Sequence, residues 1–218
     1  MDDAMVTPAY TQHEAAALVG TPPETFRRWA RGYTTGSGTR ISPFVTAAEG
    51  RGYTVPFVGL AEAWIVRAFS TAGVPTVRIR SAVEQLRKQI GLEHALVSEQ
   101  LATDGADILW DMQKTDGLDT RLIVVRNNQA VFGEVVREHL KRIDYRDGFA
   151  GTLHFPRSDG ADLTVDPTVN YGQPTLTRYG VRASDIRERV AAGDTIDEVA
   201  HDFDVPRATV SNLVLAVA

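Results

Sequence analysis

Arg27 and Arg28 stand side by side in the segment PPETFRRWAR, residues 22–31. On a helix, Phe26 and Trp29 take the inward face at a spacing of three, which leaves Glu24, Thr25, Arg27 and Arg28 outward. A guanidinium is planar and always charged, and its forked donors match a phosphate or the O6/N7 edge of guanine. Arg31 extends the same face, so this chemistry is recognition of nucleic acid, with no bond made or broken. A second polar set, Arg207, Thr209, Ser211 and Asn212, is expected on the outside of the last helix, facing DNA or a protein partner.

Other chemistry-bearing residues lead less far. Asp104, Asp107, Asp111, Asp116 and Asp119 gather in one stretch. Clustered acids suit a magnesium nuclease, but neighbours along one loop rarely surround an ion, and the spacing is not that of a calcium loop. His139, in EVVREHLKR, sits near Glu134 and Glu138 without a visible triad and reads as a partly exposed helical histidine. There is no cysteine, which removes disulfides, thiolate zinc sites and thiol nucleophiles. No serine, histidine and aspartate grouping or phosphate-binding glycine loop appears. The expectation is therefore a non-enzymatic protein without metal or cofactor.

The elements that must position the arginines follow from capping and periodicity. Thr11 with Glu14 three residues on has the spacing of a capping box and starts a helix that Gly20 stops. Thr21 is expected to cap the next helix, with Pro22 and Pro23 in its first positions and its end near Arg31. Two short helices across a tight turn form a helix-turn-helix, whose second helix enters the major groove. An ordinary pair of antiparallel helices with surface arginines is the alternative. Residues 41–45 and 52–57 are β-prone and joined by a small, charged link, so they are expected to pair as a hairpin wing carrying Arg51 and Tyr53. An amphipathic helix over 58–71, a turn at 73–75, a helix over 76–89 and a helical continuation over 93–101 follow.

Charge is unevenly spread. The chain of 218 residues carries −5 overall, yet residues 20–90 hold ten Arg or Lys against four Glu and no Asp, a local +6 that leaves −11 elsewhere. A basic part facing DNA joined to an acidic part with another task fits this split, and chance clustering on a solvated face competes with it. The N-terminus is acidic and lacks an export signal, and the longest apolar run, 55–66, is far short of the ~20 residues that span a bilayer. A cytoplasmic protein without membrane contact is expected.

Further on, residues 122–126 and 129–132 are strand-like on either side of Asn127 and Asn128, a hairpin signature. A short helix over 133–141, a strand-like run at 142–145, a turn at Asp147 and Gly148 and a strand over 149–155 come next. Residues 165–176, VDPTVNYGQPTL, are rich in turn formers and read as too polar for a core. Three helices close the chain: one capped at Ala183 or Ser184 and ending at Gly193, one capped by Thr195 over 196–202, and one from Val205 and Pro206 to about 217. Ile196, Val199, Ala200, Phe203, Val205, Val210 and Leu213 are spaced for a small trihelical core. The fold class is α+β: mainly helical with small antiparallel elements, two helix-turn-helix modules joined by a β-containing region. The expected divisions are 1–101, 102–160 and 161–218.

Tyr10, Thr11, Glu14, Ala15 and Gly20, followed by Pro23, Thr25, Arg27, Arg28 and Trp29, resemble the N-terminal domain of MerR-type regulators. Residues 72–87, AGVPTVRIRSAVEQLR, resemble a later helix of that family, and Gly50, Arg51, Gly52 and Tyr53 approximate its wing. The resemblance implies DNA contact by Thr25, Arg27, Arg28, Arg31, Arg51 and Tyr53. The C-terminal part, with Asp166, Pro167, Val169, Gly172, Pro174 and Leu176, then Ala191, Ala192, Gly193, Glu198, Val199, Ala200, Asp202, Phe203, Val205 and Val210, is similar to a small antitoxin-like domain family. Proteins joining these two modules look like VapB-type antitoxins. The resemblance thus implies a homodimer that neutralises a PIN-domain toxin ribonuclease and binds double-stranded operator DNA to regulate its own transcription. Paired modules would read half-sites about 34 Å apart. A stand-alone MerR-like regulator, or an interaction scaffold that binds no DNA, is the competing reading.

Overall fold

The computed structural model describes residues 2–90, 93–99, 136–157 and 160–215. The expected hairpin over 122–132 and the acidic stretch over 104–119 lie outside them. The chain divides into two compact units, Met1–Ala150 and Gly151–Ala218.

The first unit opens with a short helix, α1 (Asp3–Val6), and a strand, β1 (Pro8–Thr11). The capping box forms as its spacing requires: Thr11 Oγ1 accepts from Glu14 N, and Thr11 N donates to the Glu14 carboxylate at 2.8 Å. It starts α2 (Gln12–Val19), which Gly20 ends at φ 67°, donating to Ala16 and Ala17. The next helix, α3, spans Pro23–Arg31 as expected, but its N-cap is Pro22, with no side-chain cap. Thr21 is buried instead and its backbone N–H closes the preceding helix on Ala16. Burying Phe26 and Trp29, both essentially sealed from solvent, fixes α3 by roughly 3 kcal/mol apiece.

The wing differs from expectation. Residues 41–45 and 52–57 do not pair with each other. A tight hairpin joins β2 (Tyr33–Thr34) to β3 (Arg40–Ile41), and β4 (Tyr53–Pro56) pairs antiparallel with β1. The hairpin tip, Thr35–Thr39, is small and polar, and Thr35 ties to Thr39 through backbone and hydroxyl bonds. Phe44 and Val45 leave the sheet because both their N–H groups donate to the Trp29 carbonyl and both side chains enter the core.

Helix α4 (Phe57–Thr71) is not amphipathic as expected; it is apolar around its whole circumference and buried along nearly all of it. It packs against α1, α2, α3, the β1–β4 ribbon and α5 (Thr76–Ile90). Gly59 lets a loop cross it: a Cβ there would lie 2.0 Å from the Thr46 carbonyl. Glu62 is wholly buried on this helix, and its carboxylate accepts from Thr46 N at 2.6 Å and faces His94 Nδ1 at 3.1 Å and Arg87 Nη2 at 3.9 Å. In the expected helix over 93–101 the described residues form a 3-10 turn, Ala95–Val97, then Ser98 bridging Phe149, and only Glu99 is α-helical. Over 136–140 the chain is helical; the partly exposed His139 stacks on Trp64 at 4.9 Å.

Strands β5 (Ile143–Arg146) and β6 (Phe149–Phe155) form a hairpin turned by Asp147 and Gly148, both at positive φ. In the second unit β6 pairs antiparallel with β7 (Leu163–Val165) and β7 with β8 (Thr175–Leu176). This corrects the reading of 165–176 as too polar for a core: Val165, Pro167, Gly172, Thr175 and Leu176 are buried, while Thr168, Val169 and Tyr171 stay outside. In that turn Asn170 and Tyr171 are both left-handed, at φ 50° and 55°, with the Asn170 amide held on Thr175 Oγ1 and Tyr171 89% exposed. Helices α6 (Ala183–Ala191), α7 (Ile196–Asp202) and α8 (Arg207–Leu215) follow, close to their expected ranges. Val199, Val205, Val210 and Leu213 make their common core, while Ile196, Ala200 and Phe203 are only half-buried.

Two consequences are measurable. Glu62→Leu removes the acceptor of a part-buried N–H and of the His94 ring, and should lower unfolding free energy by about 3 kcal/mol in urea titration. Glu198, in the α7 capping box, has a carboxyl held below its usual range, chiefly by the Thr195 backbone N–H and then by its hydroxyl. A depressed folded-state value stabilises above the unfolded value and fades as pH falls through the folded one. Glu198→Gln should therefore lower the melting midpoint at neutral pH, with the gap to wild type closing on acidification.

A candidate nucleic-acid interface on the third helix

The outward face of α3 is cationic. Arg27 and Arg28 have side chains 63% and 58% exposed, neither drawn into the core. Thr25 is half-buried beside them. Two clefts flank the helix. One is lined by Arg27, Arg31 and Arg51 with Gln12 and Thr11, the other by Arg27, Arg28, Arg31 and Arg40 with Glu24 and Glu49.

Arg31 is partly engaged in structure. Its Nη2 donates to the Gly50 carbonyl at 2.7 Å, and the Gln12 amide oxygen, turned toward it, accepts from Nε at 2.7 Å. It thereby fastens the loop that presents Arg51 to the end of α3. Arg51 is exposed on this loop, and Tyr53 projects, 63% exposed, from the start of β4. Arg51 therefore stands on the loop before β4 and Tyr53 on β4 itself, which pairs with β1, and neither belongs to the hairpin wing.

That wing is the β2–β3 hairpin, and it brings residues that sequence reasoning passed over. Arg40 Nη2 donates to the Arg31 carbonyl at 3.0 Å, so it both caps the C-terminal end of α3 and lines the second cleft. The Gly-Ser-Gly run before it was the available sign of a hairpin tip. Tyr33 lies between cations, with the Arg28 guanidinium 5.5 Å and that of Arg80 5.9 Å from its ring. Arg80, on α5, also stacks over Phe44 at 4.8 Å, and its Nε and Nη2 are buried without a hydrogen-bond acceptor among the described residues. Attraction to two ring faces stands in for the absent acceptors. Nothing in the local sequence announces it, because the contact joins residues far apart in the chain.

Among the described residues, Glu24 is the acid that meets the arginines of the recognition face. Its carboxylate receives Arg27 Nε and Nη2, each at 3.0 Å, and lies 3.9 Å from Arg28 Nε. The Arg27 bond, foremost, holds the Glu24 carboxyl below its usual range and raises Arg27.

In the second unit the expected polar set separates. Arg207 is exposed and pairs with Asp197 at 2.7 Å. Thr209 is buried, contrary to expectation, because it stands one turn before Leu213 and shares that inward face. Ser211 and Asn212 are half-buried. Arg189 pairs with both Asp194 and Asp202 and lies 5.9 Å from the Phe203 ring, so at the surface it ties the two ends of α7 to α6. Around α7 the exposed charge is mostly negative. Among the described residues no group of three or more His, Asp or Glu side chains is arranged to hold a metal ion.

Comparison with known proteins places this geometry. Residues 8–83 match the family model described as "Putative DNA-binding HTH domain", and residues 163–214 match "Protein of unknown function (DUF433)". A Mycobacterium tuberculosis protein named "Putative antitoxin VapB45" is 36% identical over 226 residues, 97% of this chain and 94% of its own length. The chain belongs to the VapB45 family. A second M. tuberculosis relative, "Uncharacterized protein Rv2308", is 26% identical across 89% of this chain and 83% of its own length. The crystal structure of Rv2018 from the same organism superposes with a TM-score of 0.73 at 32% identity, covering 95% of this chain and 97% of that one. The α+β architecture, helices with small antiparallel sheets, is thus that of a solved structure related in sequence to this family member.

Gly32, which joins α3 to the wing, makes the interface testable. Its φ is 66° with ψ −172°, and a Cβ would sit 2.1 Å from the Ile41 carbonyl. Gly32→Ala should cost about 2 kcal/mol or more and loosen β2–β3. Thermal melting and amide exchange over residues 33–41 read both effects.

Proposed function

We propose that this protein is a DNA-binding antitoxin: its N-terminal module reads operator DNA, and the chain neutralises a toxin, of the PIN-domain ribonuclease class, whose gene it represses together with its own. The observation that carries the DNA half is the exposed cationic face of α3, with Arg51 on one flank and Arg40 on the other. Thr25, Arg27 and Arg28 face the groove, and Arg31, Arg51, Arg40 and Tyr53 meet the backbone beside it. The matched helix-turn-helix model supports the same reading, and the antitoxin half rests on relationship to VapB45 along the whole chain.

Division of labour follows charge. Residues 1–101 carry the DNA-reading part and 161–218 the second module, and the stretch 102–160 between them contributes β6 to the sheet of the second unit. We assign its acidic α7–α8 face to the protein partner, since Asp194, Asp197, Glu198 and Asp202 repel phosphates and suit an arginine-rich surface. Arg207, Ser211 and Asn212 lie at the edge of that face. A homodimer would place two α3 helices on half-sites one turn apart.

The decisive experiment titrates the full chain on duplexes from the region upstream of its own gene. Replacing Arg27 and Arg28 with alanine should weaken binding roughly ten-fold or more and flatten the plot of log affinity against log salt by about 0.9 for each phosphate no longer neutralised. Unchanged binding in that variant rejects the assignment of α3.

A further inference from the structure

On the basis of the DNA reading above, we infer that Glu24 is a specificity-determining residue: it is a built-in counter-anion that suppresses binding to DNA in general while sparing the correct site. The two arginines best placed for DNA are paired before any DNA arrives. Arg27 is held by two of its donors, Nε and Nη2, on the two oxygens of a single carboxylate at 3.0 Å each, the same fork geometry that a phosphate or a guanine edge would claim. Arg28 Nε lies 3.9 Å from the same group.

The position of Glu24 in α3 strengthens this. It stands in the first turn, next to backbone N–H groups that have no side-chain cap. The positive end of the helix and the two guanidinium groups are the features of this face that attract any phosphate. One carboxylate answers both.

The pairing is exposed, with Glu24 60% and Arg27 63% accessible, so water and salt weaken it. Any DNA can offer a phosphate, which must displace Glu24 and then sit near its charge. Only the right sequence also offers a guanine edge that takes the Arg27 fork completely. The internal competitor thus subtracts most from complexes that set a phosphate beside Glu24 and least from the specific one, in which the Arg27 fork lies on a base edge. An acid that served only to favour the helix start would affect folding and leave the salt dependence of binding alone.

The test measures anisotropy of two labelled duplexes, one of random sequence and one most enriched by the wild-type protein from a random pool, across a salt series, with wild type, Glu24→Gln and Glu24→Asp. Glu24→Gln should bind the random duplex about fourfold more tightly at low salt, as removal of one unit charge a few ångströms from a phosphate implies. Its salt slope should steepen by about 0.9, one additional phosphate neutralised. The ratio of selected to random affinity should shrink accordingly, while Glu24→Asp, which keeps the charge, stays near wild type. Random-duplex affinity and slope that do not change in Glu24→Gln overturn the inference with DNA binding intact. Loss confined to the selected duplex also overturns it, making Glu24 a direct reader of a cytosine amino group. If wild type binds neither duplex, the DNA reading falls and this inference with it.

Discussion

A carboxylate sealed inside a protein needs donors on every open side, and Glu62 imposes that requirement on the whole N-terminal unit. It sits on the buried, mostly apolar length of α4, and it recruits a backbone N–H from the loop after the wing, an imidazole from the segment after α5 and a guanidinium from α5 itself. Removing charge from water is strongly unfavourable unless such partners are geometrically fixed, so three chain segments are drawn to one point. The loop at Thr46 passes close enough for this only because residue 59 has no side chain. The interface on α3 inherits the result. The same loop carries Phe44 and Val45, whose N–H groups fasten the Trp29 carbonyl, and Phe44 supplies the ring on which Arg80 rests.

Seen from that anchor, the arginines sort into two kinds. Arg80 and Arg87 spend donors or charge on the protein itself, on aromatic rings and on Glu62, and Arg31 and Arg40 each commit one nitrogen to a backbone carbonyl while still lining the clefts beside α3. Arg27, Arg28 and Arg51 remain on the outside. A count of basic residues therefore overstates the charge available to DNA, and the local excess between residues 20 and 90 is partly internal mortar. What makes the face cationic is the placement of a few residues on one helix and one loop.

Much of this was legible in the chain. Thr11 with Glu14 and Thr195 ahead of α7 marked helix starts because a cap is a local bargain among neighbours, and Phe26 with Trp29 marked the inner face of α3 by spacing alone. Pairing between strands is not local. Residues 52–57 have two possible partners of similar β-propensity, and the choice of β1 over 41–45 is made by Tyr10 and Val55 both being buried in register, which no single segment reveals. Thr21 looked like a cap because its type is suited to one, yet Pro22 already supplies the extended backbone that a cap position needs. Thr209 lies a fraction of a turn from the outward face expected of it, because each face of so short a helix holds only two or three residues. Polar turn formers around 165–176 hid two short strands whose few apolar residues are fully used. The pairing of Glu24 with Arg27 follows from their spacing, whereas the stacking of Arg80 does not.

The turn at Asn170 and Tyr171 carries a different lesson. Two consecutive side-chain-bearing residues occupy backbone space that glycine enters freely, and the second projects an aromatic ring almost wholly into solvent. Glycine at 171 would relax the backbone but erase the ring, so local comfort and outward shape pull in opposite directions. A change to an easier turn here would take from the surface the most exposed large hydrophobic side chain among the described residues.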